Sequence, residues 1–181
     1  MREMNVTVYS FDELSEAAQE RAINELRPLN IEHDWYEYPY DTIRTAGKLI
    51  GLDIDMIYFD TDLYCIFDAS YEYVRGAVKA VQAEFPRMTA LHEVAQKLQV
   101  LQKRHFYSLS CNVASQRDTN SYQCFRFGED YECDLGVIID DFAHWAWVLL
   151  RDEYEYLTSD EAIQEMIESN EYEFDEAGNL S

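Results

Sequence analysis

The chain of 181 residues is 48% hydrophobic and 14% aromatic, which is enough apolar side chain to build a core and excludes a disordered acidic tail. Thirty-six acidic residues oppose fourteen basic ones. The net charge of −22 disfavours nucleic acid and anionic membranes as direct partners, because their charge has the same sign. No apolar run is long enough to span a bilayer and no signal peptide opens the sequence, so we expect a cytoplasmic protein.

The first quarter of the chain is predicted to form one strand and two helical stretches. Alternating apolar and polar residues indicate a strand over residues 4–9. A helix is predicted over residues 15–27, with its first residue, a serine, as the cap. A second helical stretch covers residues 31–50, interrupted at Pro39 and ended by Gly51.

The middle of the chain is predicted to form a hairpin and then a helix pair. Strands over residues 54–58 and 63–73 flank a turn, which is typical of a hairpin. Residues 75–85 are predicted to be helical, and Thr89 is predicted to cap another helix. The apolar face of that helix consists of Leu91, Val94, Ala95, Leu98 and Leu101.

The last part of the chain repeats this order. Residues 106–113 and 122–127 are predicted to be strands, and residues 137–150 are apolar enough to be the central buried helix. A final helix is predicted from Ser159 to about residue 170, and residues 172–174 could add an edge strand.

Hairpins that alternate with helix pairs predict an α+β fold, in which helix pairs pack on an antiparallel sheet. No Gly-rich or Pro-rich linker interrupts the chain, so we predict a single domain over residues 1–181. None of the cysteines forms a CxxC pair, and all are expected to be reduced core residues. They are Cys65, Cys111, Cys124 and Cys133.

Charge is divided unevenly along the chain. Residues 1–73 carry a net charge of −11, residues 74–126 carry +5, and residues 129–181 carry −16. Solubility or a salty cytoplasm would explain an acidic protein, but neither requires such a division.

The last predicted helix concentrates acids on one face. Glu161, Glu165 and Glu168 fall at i, i+4 and i+7, whereas Ile163 and Ile167 lie on another face. A row of carboxylates at this density resembles the line of phosphates along one DNA strand. The alternative is an ordinary solvated helix face.

Tyrosines flank the acids in repeated Tyr-Glu-Tyr triplets, which in extended chain point both rings to one side. Tyr71 and Tyr73 are predicted to pack on the sheet, whereas Tyr154, Tyr156 and Tyr172 are candidates to stack on arginines of a partner. The predicted partner-binding residues are Asp152, Glu153, Tyr154, Glu155, Tyr156, Asp160, Glu161, Glu165, Glu168, Tyr172, Glu173 and Asp175.

The sequence supports no catalytic constellation. Asp140, Asp141 and His144 share a helix face that a metal could use, but the aromatic residues around them favour a buried or half-buried histidine paired with a carboxylate. His92 begins an HExxH-like segment that ends in Gln96, so the second zinc ligand is missing. We therefore predict no catalytic residue, no metal site and no cofactor.

Five segments, at residues 8–15, 34–36, 75–79, 157–163 and 170–174, together resemble a family of small acidic phage and prophage proteins, some of them labelled antitoxin-like. The resemblance implies a bacterial host cell and carries no catalytic residues. In their charge, such proteins also resemble anti-defence proteins that act as DNA mimics.

These observations lead to three hypotheses about function. The first is a phage-encoded inhibitor of a host defence system, of the anti-CRISPR or anti-restriction type, which binds the basic nucleic-acid-binding surface of a host protein. The second is an antitoxin or regulatory subunit that neutralises a toxin through apolar and aromatic contacts. The third is a metal-dependent enzyme. A homodimer is compatible with all three, because the basic middle segment could meet the acidic end of another copy.

Overall fold

The computed structural model describes residues 7–61, 64–116, 121–126, 129–130 and 134–181, and the fold is α+β. The helices are α1 (Glu16–Leu26), α2 (Glu37–Ile50), α3 (Ala77–Glu84), α4 (Thr89–Arg104), α5 (Leu135–Leu157) and α6 (Asp160–Ser169). The strands are β1 (Leu52–Asp60), β2 (Tyr64–Glu72), β3 (Ser110–Gln116), β4 (Ser121–Arg126) and β5 (Glu129–Asp130). They form one antiparallel sheet in the order β1-β2-β3-β4-β5. Within these described ranges, no helix combines the length and the apolar character needed to cross a membrane.

The chain forms two compact units. We call Met1–Trp35 with Asp152–Ser181 the terminal unit, and Tyr36–Arg151 the sheet unit. The boundary between Arg151 and Asp152 falls inside α5, so both units contain part of one continuous helix. The expectation of a single domain over residues 1–181 stays a prediction.

The core of the sheet unit lies where α5 covers the sheet. Phe67 on β2 is fully buried, and its ring centroid lies 5.6 Å from that of Phe142 on α5. A buried amide on α4 also bonds to the sheet unit's core. The Gln102 Nε2 donates to the Tyr71 hydroxyl at 3.1 Å and to the Leu109 carbonyl at 2.9 Å, which satisfies a polar group that would be costly to bury alone.

The terminal unit has a separate core between α1 and α6. Phe11, Ile163 and Phe174 are buried together there, and the Phe11 and Phe174 rings meet edge to face at 6.3 Å. Tyr9 and Phe174 exchange backbone hydrogen bonds of 2.8 and 2.9 Å as an isolated antiparallel bridge. Phe174 forms a second isolated bridge with Leu180. In the described residues, the predicted strands at 4–9 and 172–174 are therefore reduced to these isolated bridges, and residues 1–6 lie outside the described residues.

Several local predictions are confirmed. The Ser15 Oγ accepts a hydrogen bond from the Ala18 amide at 3.4 Å and caps α1. Gly51 ends α2 in the left-handed region with φ of 91°. The apolar face predicted for α4 is buried. Tyr71 is also buried, and three of the cysteines, Cys65, Cys111 and Cys124, lie in the core, whereas Cys133 lies outside the described residues.

Other local predictions are wrong. Helix α2 is not interrupted at Pro39, because the helix begins at Glu37 and Pro39 lies in its first turn, where its missing N–H leaves no bond unmade. Residues from Arg27 to Ile31 form a short 3-10 helix instead. Thr89 is the first residue of α4 and not its cap, a position that Met88 takes without a side-chain bond.

Two element boundaries also differ. The strand predicted from residue 106 begins at Ser110, because Phe106 and Tyr107 adopt positive φ of 52° and 58° in a turn after α4. Helix α5 extends from Leu135 to Leu157 and not from 137 to 150, so the acids that were expected to follow it lie in its last two turns.

Candidate functional site

The carboxylates of α6 form a coherent row, as the sequence predicts. Glu161, Glu165 and Glu168 are exposed, while Ile163 and Ile167 on the opposite face are buried. At about 1.5 Å of rise per residue, the row covers roughly 10 Å of helix axis. Ser159 caps the helix by accepting from the Ala162 amide at 3.2 Å, which fixes where the row begins.

An acidic groove continues this row beyond the end of α6. Its volume is about 440 Å³, and its lining includes Asp12, Glu13, Glu168, Glu171 and Glu173 without any basic residue. We call these five residues, together with Glu161 and Glu165, the acidic surface. Its members come from both ends of the sequence, which the Tyr9–Phe174 bridge holds together within the terminal unit.

The Glu13 carboxylate of the groove is hydrogen-bonded within its own turn. Its Oε2 accepts from the Ser10 amide at 2.9 Å and from the Ser10 hydroxyl at 3.1 Å. These two bonds, the backbone one first, lower the pKa of Glu13 below its ordinary value. Asp12 and Glu13 are not predicted as site residues, because nothing local in the sequence joins them to acids more than 150 positions later.

The predicted partner-binding residues in the last two turns of α5 differ in exposure. Asp152 and Glu155 are exposed, whereas Glu153 is half-buried. Tyr156 is 53% exposed, and its hydroxyl donates to Glu165 at 3.4 Å, which ties the end of α5 to the carboxylate row.

The Tyr-Glu-Tyr triplet at residues 154–156 is not in extended chain, so its two rings do not lie on one side. These residues are helical, so positions two apart diverge by roughly 200° and the two tyrosines point to different sides. Tyr154 is half-buried with its ring 5.7 Å from Trp35, and Tyr156 faces solvent.

Three predicted partner-binding residues have internal roles. Asp160 forms an ion pair with Arg27 at 2.5 Å. Asp175 accepts from the Asn179 side chain at 2.7 Å and from its amide at 3.0 Å, and these bonds lower its pKa. Tyr172 is half-buried against the terminal core. Glu173, which lies between Tyr172 and Asp175 in the sequence, is exposed.

The two units differ sharply in charge. The terminal unit contains nineteen acidic and three basic residues, whereas the sheet unit contains seventeen and eleven. The basic segment 74–126 belongs to the sheet unit. Two of its cations form ion pairs with carboxylates: Lys97 with Asp141 on α5 at 2.7 Å, and Arg104 with Asp134, the residue before α5, at 3.2 Å.

The metal-binding alternative receives no geometric support within the described residues. No group of three His, Cys, Asp or Glu side chains is arranged there to hold a metal ion. The expectation of a buried or half-buried His144 is wrong, because this side chain is exposed and its ring stacks on Trp147 at 5.8 Å.

Comparison with known proteins adds one match. A family model described as a domain of unknown function (DUF8835) matches residues 35–160, which is more than half of the chain. No curated protein and no solved structure matches the chain. The matched range covers the whole sheet unit, whereas the acidic surface lies outside it.

Proposed function

The chain belongs to the DUF8835 family, and from the charge of its terminal unit we propose that it binds the basic, nucleic-acid-binding surface of another protein in place of nucleic acid. The observation that carries the proposal is the acidic surface, in which a helix row and a groove present carboxylates without an intervening base. This unit has nineteen acidic and three basic residues, so its surface carries a negative electrostatic potential. That potential attracts a basic partner before the two proteins touch.

The physical basis is substitution of carboxylates for phosphates. Lysines and arginines that bind nucleic acid are spaced to neutralise a line of negative charge. Side chains three or four residues apart on a helix lie about 5–6 Å from one another, so α6 offers a comparable line. A planar guanidinium can bind a carboxylate through two hydrogen bonds, as it does a phosphate.

In its specific form, the proposal is a phage-encoded inhibitor of a restriction or CRISPR system, the setting that the sequence resemblance implies. Its support there is the charge pattern and the DNA-like spacing of the carboxylates. The partner would be a basic host protein whose nucleic-acid groove is occupied by the acidic surface.

The test is competition for a partner that is captured from a bacterial host and then purified. Duplex DNA and this chain should displace one another, and affinity should fall steeply with added salt. Reversing Glu161, Glu165 and Glu168 to lysine should weaken binding by about tenfold or more.

The matched control reverses three exposed acids of the sheet unit, Asp53, Asp55 and Glu72, to lysine. This change alters the net charge equally and should weaken binding much less. Binding that ignores salt, or that responds equally to the two triple reversals, contradicts the proposal.

The exposure of Tyr156 favours a second candidate, an antitoxin or regulatory subunit held by aromatic contacts. Such a complex should survive high salt and fail in Tyr156→Ala. Tyr154→Ala is a poorer test, because this ring packs on Trp35 and its loss would also lower the stability of the chain.

A further inference from the structure

A groove with an apolar floor lies in the sheet unit, between α4 and the start of α5. Val100, Leu101 and Ile138 supply the apolar part of its lining, and its volume is about 470 Å³. A cavity of roughly 150 Å³ already binds benzene, so an aromatic ring fits here. Val100 is 51% exposed and Val137, next to Ile138 on α5, is 71% exposed. We call this surface the α4–α5 groove, and exposed apolar side chains grouped in this way are typical of a protein interface.

The charges around the α4–α5 groove are balanced. Among the described residues, its lining contains two acids, Glu93 and Asp134, and two bases, Lys97 and Arg104. Both bases form the ion pairs with carboxylates of the α5 side that are given above. In a chain with a net charge of −22, a balanced surface is one that a second copy can approach without local repulsion.

An aromatic side chain projects into solvent just beyond the end of α4. Phe106 is 90% exposed and follows the groove residue Arg104 by two positions. Phe106 and Tyr107 adopt φ of 52° and 58°, a conformation that bulky side chains rarely take. Gln102 holds this turn at two points, because its carbonyl accepts from the Tyr107 amide at 2.7 Å and its side chain bonds the Leu109 amide and carbonyl at 3.3 and 2.9 Å. The fold therefore maintains an unfavourable backbone conformation that presents the Phe106 ring to solvent.

The exposed stripe of α4 is complementary to itself when two copies run antiparallel. The stripe consists of Glu93, Gln96, Val100 and Lys103, which are spaced as on one face of a helix. The acid and the base at its two ends are separated by about 15 Å of helix axis. A two-fold axis near the middle of the stripe therefore brings Glu93 of each copy to Lys103 of the other, and Val100 lies close to that axis. The same rotation carries Phe106 to the Glu93 end of the second copy's groove.

We propose that the α4–α5 groove is the interface of a homodimer, in which two α4 helices pack antiparallel about a two-fold axis and each copy inserts Phe106 into the groove of the other. The occupant is a second copy, because one stretch of chain supplies the ring, the groove and both signs of charge that the contact needs. The interface lies within the matched residues 35–160. It uses no residue of the acidic surface, so the inference does not rest on the proposed function.

Sedimentation velocity of the full chain over a range of concentrations is the first test, and we expect a concentration-dependent dimer. Phe106→Asn removes the ring and introduces a side chain that tolerates positive φ, so it should weaken dimerisation by about tenfold or more without destabilising the fold. Val100→Gln should also weaken dimerisation. The control is Met56→Gln, which removes an exposed apolar side chain of β1 outside the groove and should leave the dimer unchanged.

Two charge reversals test the antiparallel arrangement. In a dimer of the Glu93→Lys variant, two lysines face each other at both ends of the interface, and in a dimer of the Lys103→Glu variant two glutamates do. Each variant alone should therefore dimerise several-fold more weakly than the unchanged chain. An equimolar mixture of the two should form a heterodimer, because a lysine then faces a glutamate at both ends.

A chain that stays monomeric at every concentration, or a dimer that Phe106→Asn leaves unchanged, would overturn the proposal. A mixture of the two reversals that dimerises no better than either variant alone would do the same. Loss of the dimer in the Glu161→Lys, Glu165→Lys, Glu168→Lys variant would place the contact on the acidic surface and also contradict the proposal. Persistence of the dimer in that variant supports it, whatever the result of the competition for a basic partner.

Discussion

Gly51 and Gly76 both have positive φ, of 91° and 85°, but only the first is crowded. A Cβ at Gly51 would lie 1.9 Å from the Glu72 carbonyl oxygen, whereas a Cβ at Gly76 would meet nothing within 4 Å. Gly76→Ala should therefore lower the free energy of unfolding by about 1–2 kcal/mol, the strain of the left-handed conformation alone. Gly51→Ala should lower it by more, since the end of β2 must also move. Urea denaturation of both variants measures the difference, and equal losses would contradict the account.

Asp140 should make stability depend on pH in an unusual direction for a carboxylate. Its pKa is raised by burial and then by Asp141, so ionisation is less favourable in the folded chain than in the unfolded one. This penalty is absent below the ordinary value of 3.8 and develops as the pH rises through the raised folded value. Asp140→Asn should therefore raise Tm near neutral pH, and the gain should shrink in acid. Thermal denaturation across pH measures it, with Asp55→Asn as the control; a gain that is constant with pH would refute the assignment.

At the scale of elements, Arg27 joins the 3-10 helix after α1 to the start of α6. Its guanidinium donates to the Thr158 carbonyl and pairs with Asp160, within a side chain that is 32% exposed. Arg27→Met should lower the free energy of unfolding by about 1–2 kcal/mol, mostly through the carbonyl left without its donor. Arg21→Met changes the charge equally at an exposed position and should cost much less. The comparison is made by denaturant titration, and equal losses would mean that net charge matters and the junction does not.

Local signals in the sequence predicted the elements that end or begin on a distinctive residue. Ser15 as a cap and Gly51 as a left-handed stop can be recognised from the residue itself, because a serine hydroxyl can accept from the first turn of its own helix and glycine tolerates positive φ. The sequence predicts too short a helix α5, because the segment after Leu150 is charged and aromatic and has no apolar periodicity. Phe106 was predicted in a strand from its apolar character, yet it is 90% exposed in a left-handed turn.

The residues of the candidate site also differ in whether the sequence could predict them. The carboxylate row of Glu161, Glu165 and Glu168 could be predicted, because helical periodicity alone places the three on one face. The groove acids Asp12 and Glu13 could not be predicted, since chain reversal brings them beside residues near the other terminus.

At the scale of the whole molecule, the net charge of −22 should make salt a stabiliser. Self-repulsion destabilises the compact state, and raising the ionic strength from about 0.01 to 0.15 M shortens the screening length from roughly 30 to 8 Å. We expect Tm to rise by a few degrees over this range, roughly the effect of 1 kcal/mol in a chain of this length. Replacing Glu161, Glu165 and Glu168 with glutamine should shrink the rise. A Tm that is flat or falls with salt would contradict the electrostatic account.

The three tryptophans of the chain are divided between its units: Trp35 belongs to the terminal unit, and Trp145 and Trp147 to the sheet unit. Each unit therefore carries its own intrinsic fluorophore. Trp35→Phe leaves emission that reports the sheet unit, and Trp145→Phe with Trp147→Phe leaves emission that reports the terminal unit. Coincident unfolding midpoints in the two variants would identify one cooperative domain over residues 1–181, whereas separate midpoints would identify two. The aromatic residues that pack these cores thus also make their cooperativity visible by spectroscopy.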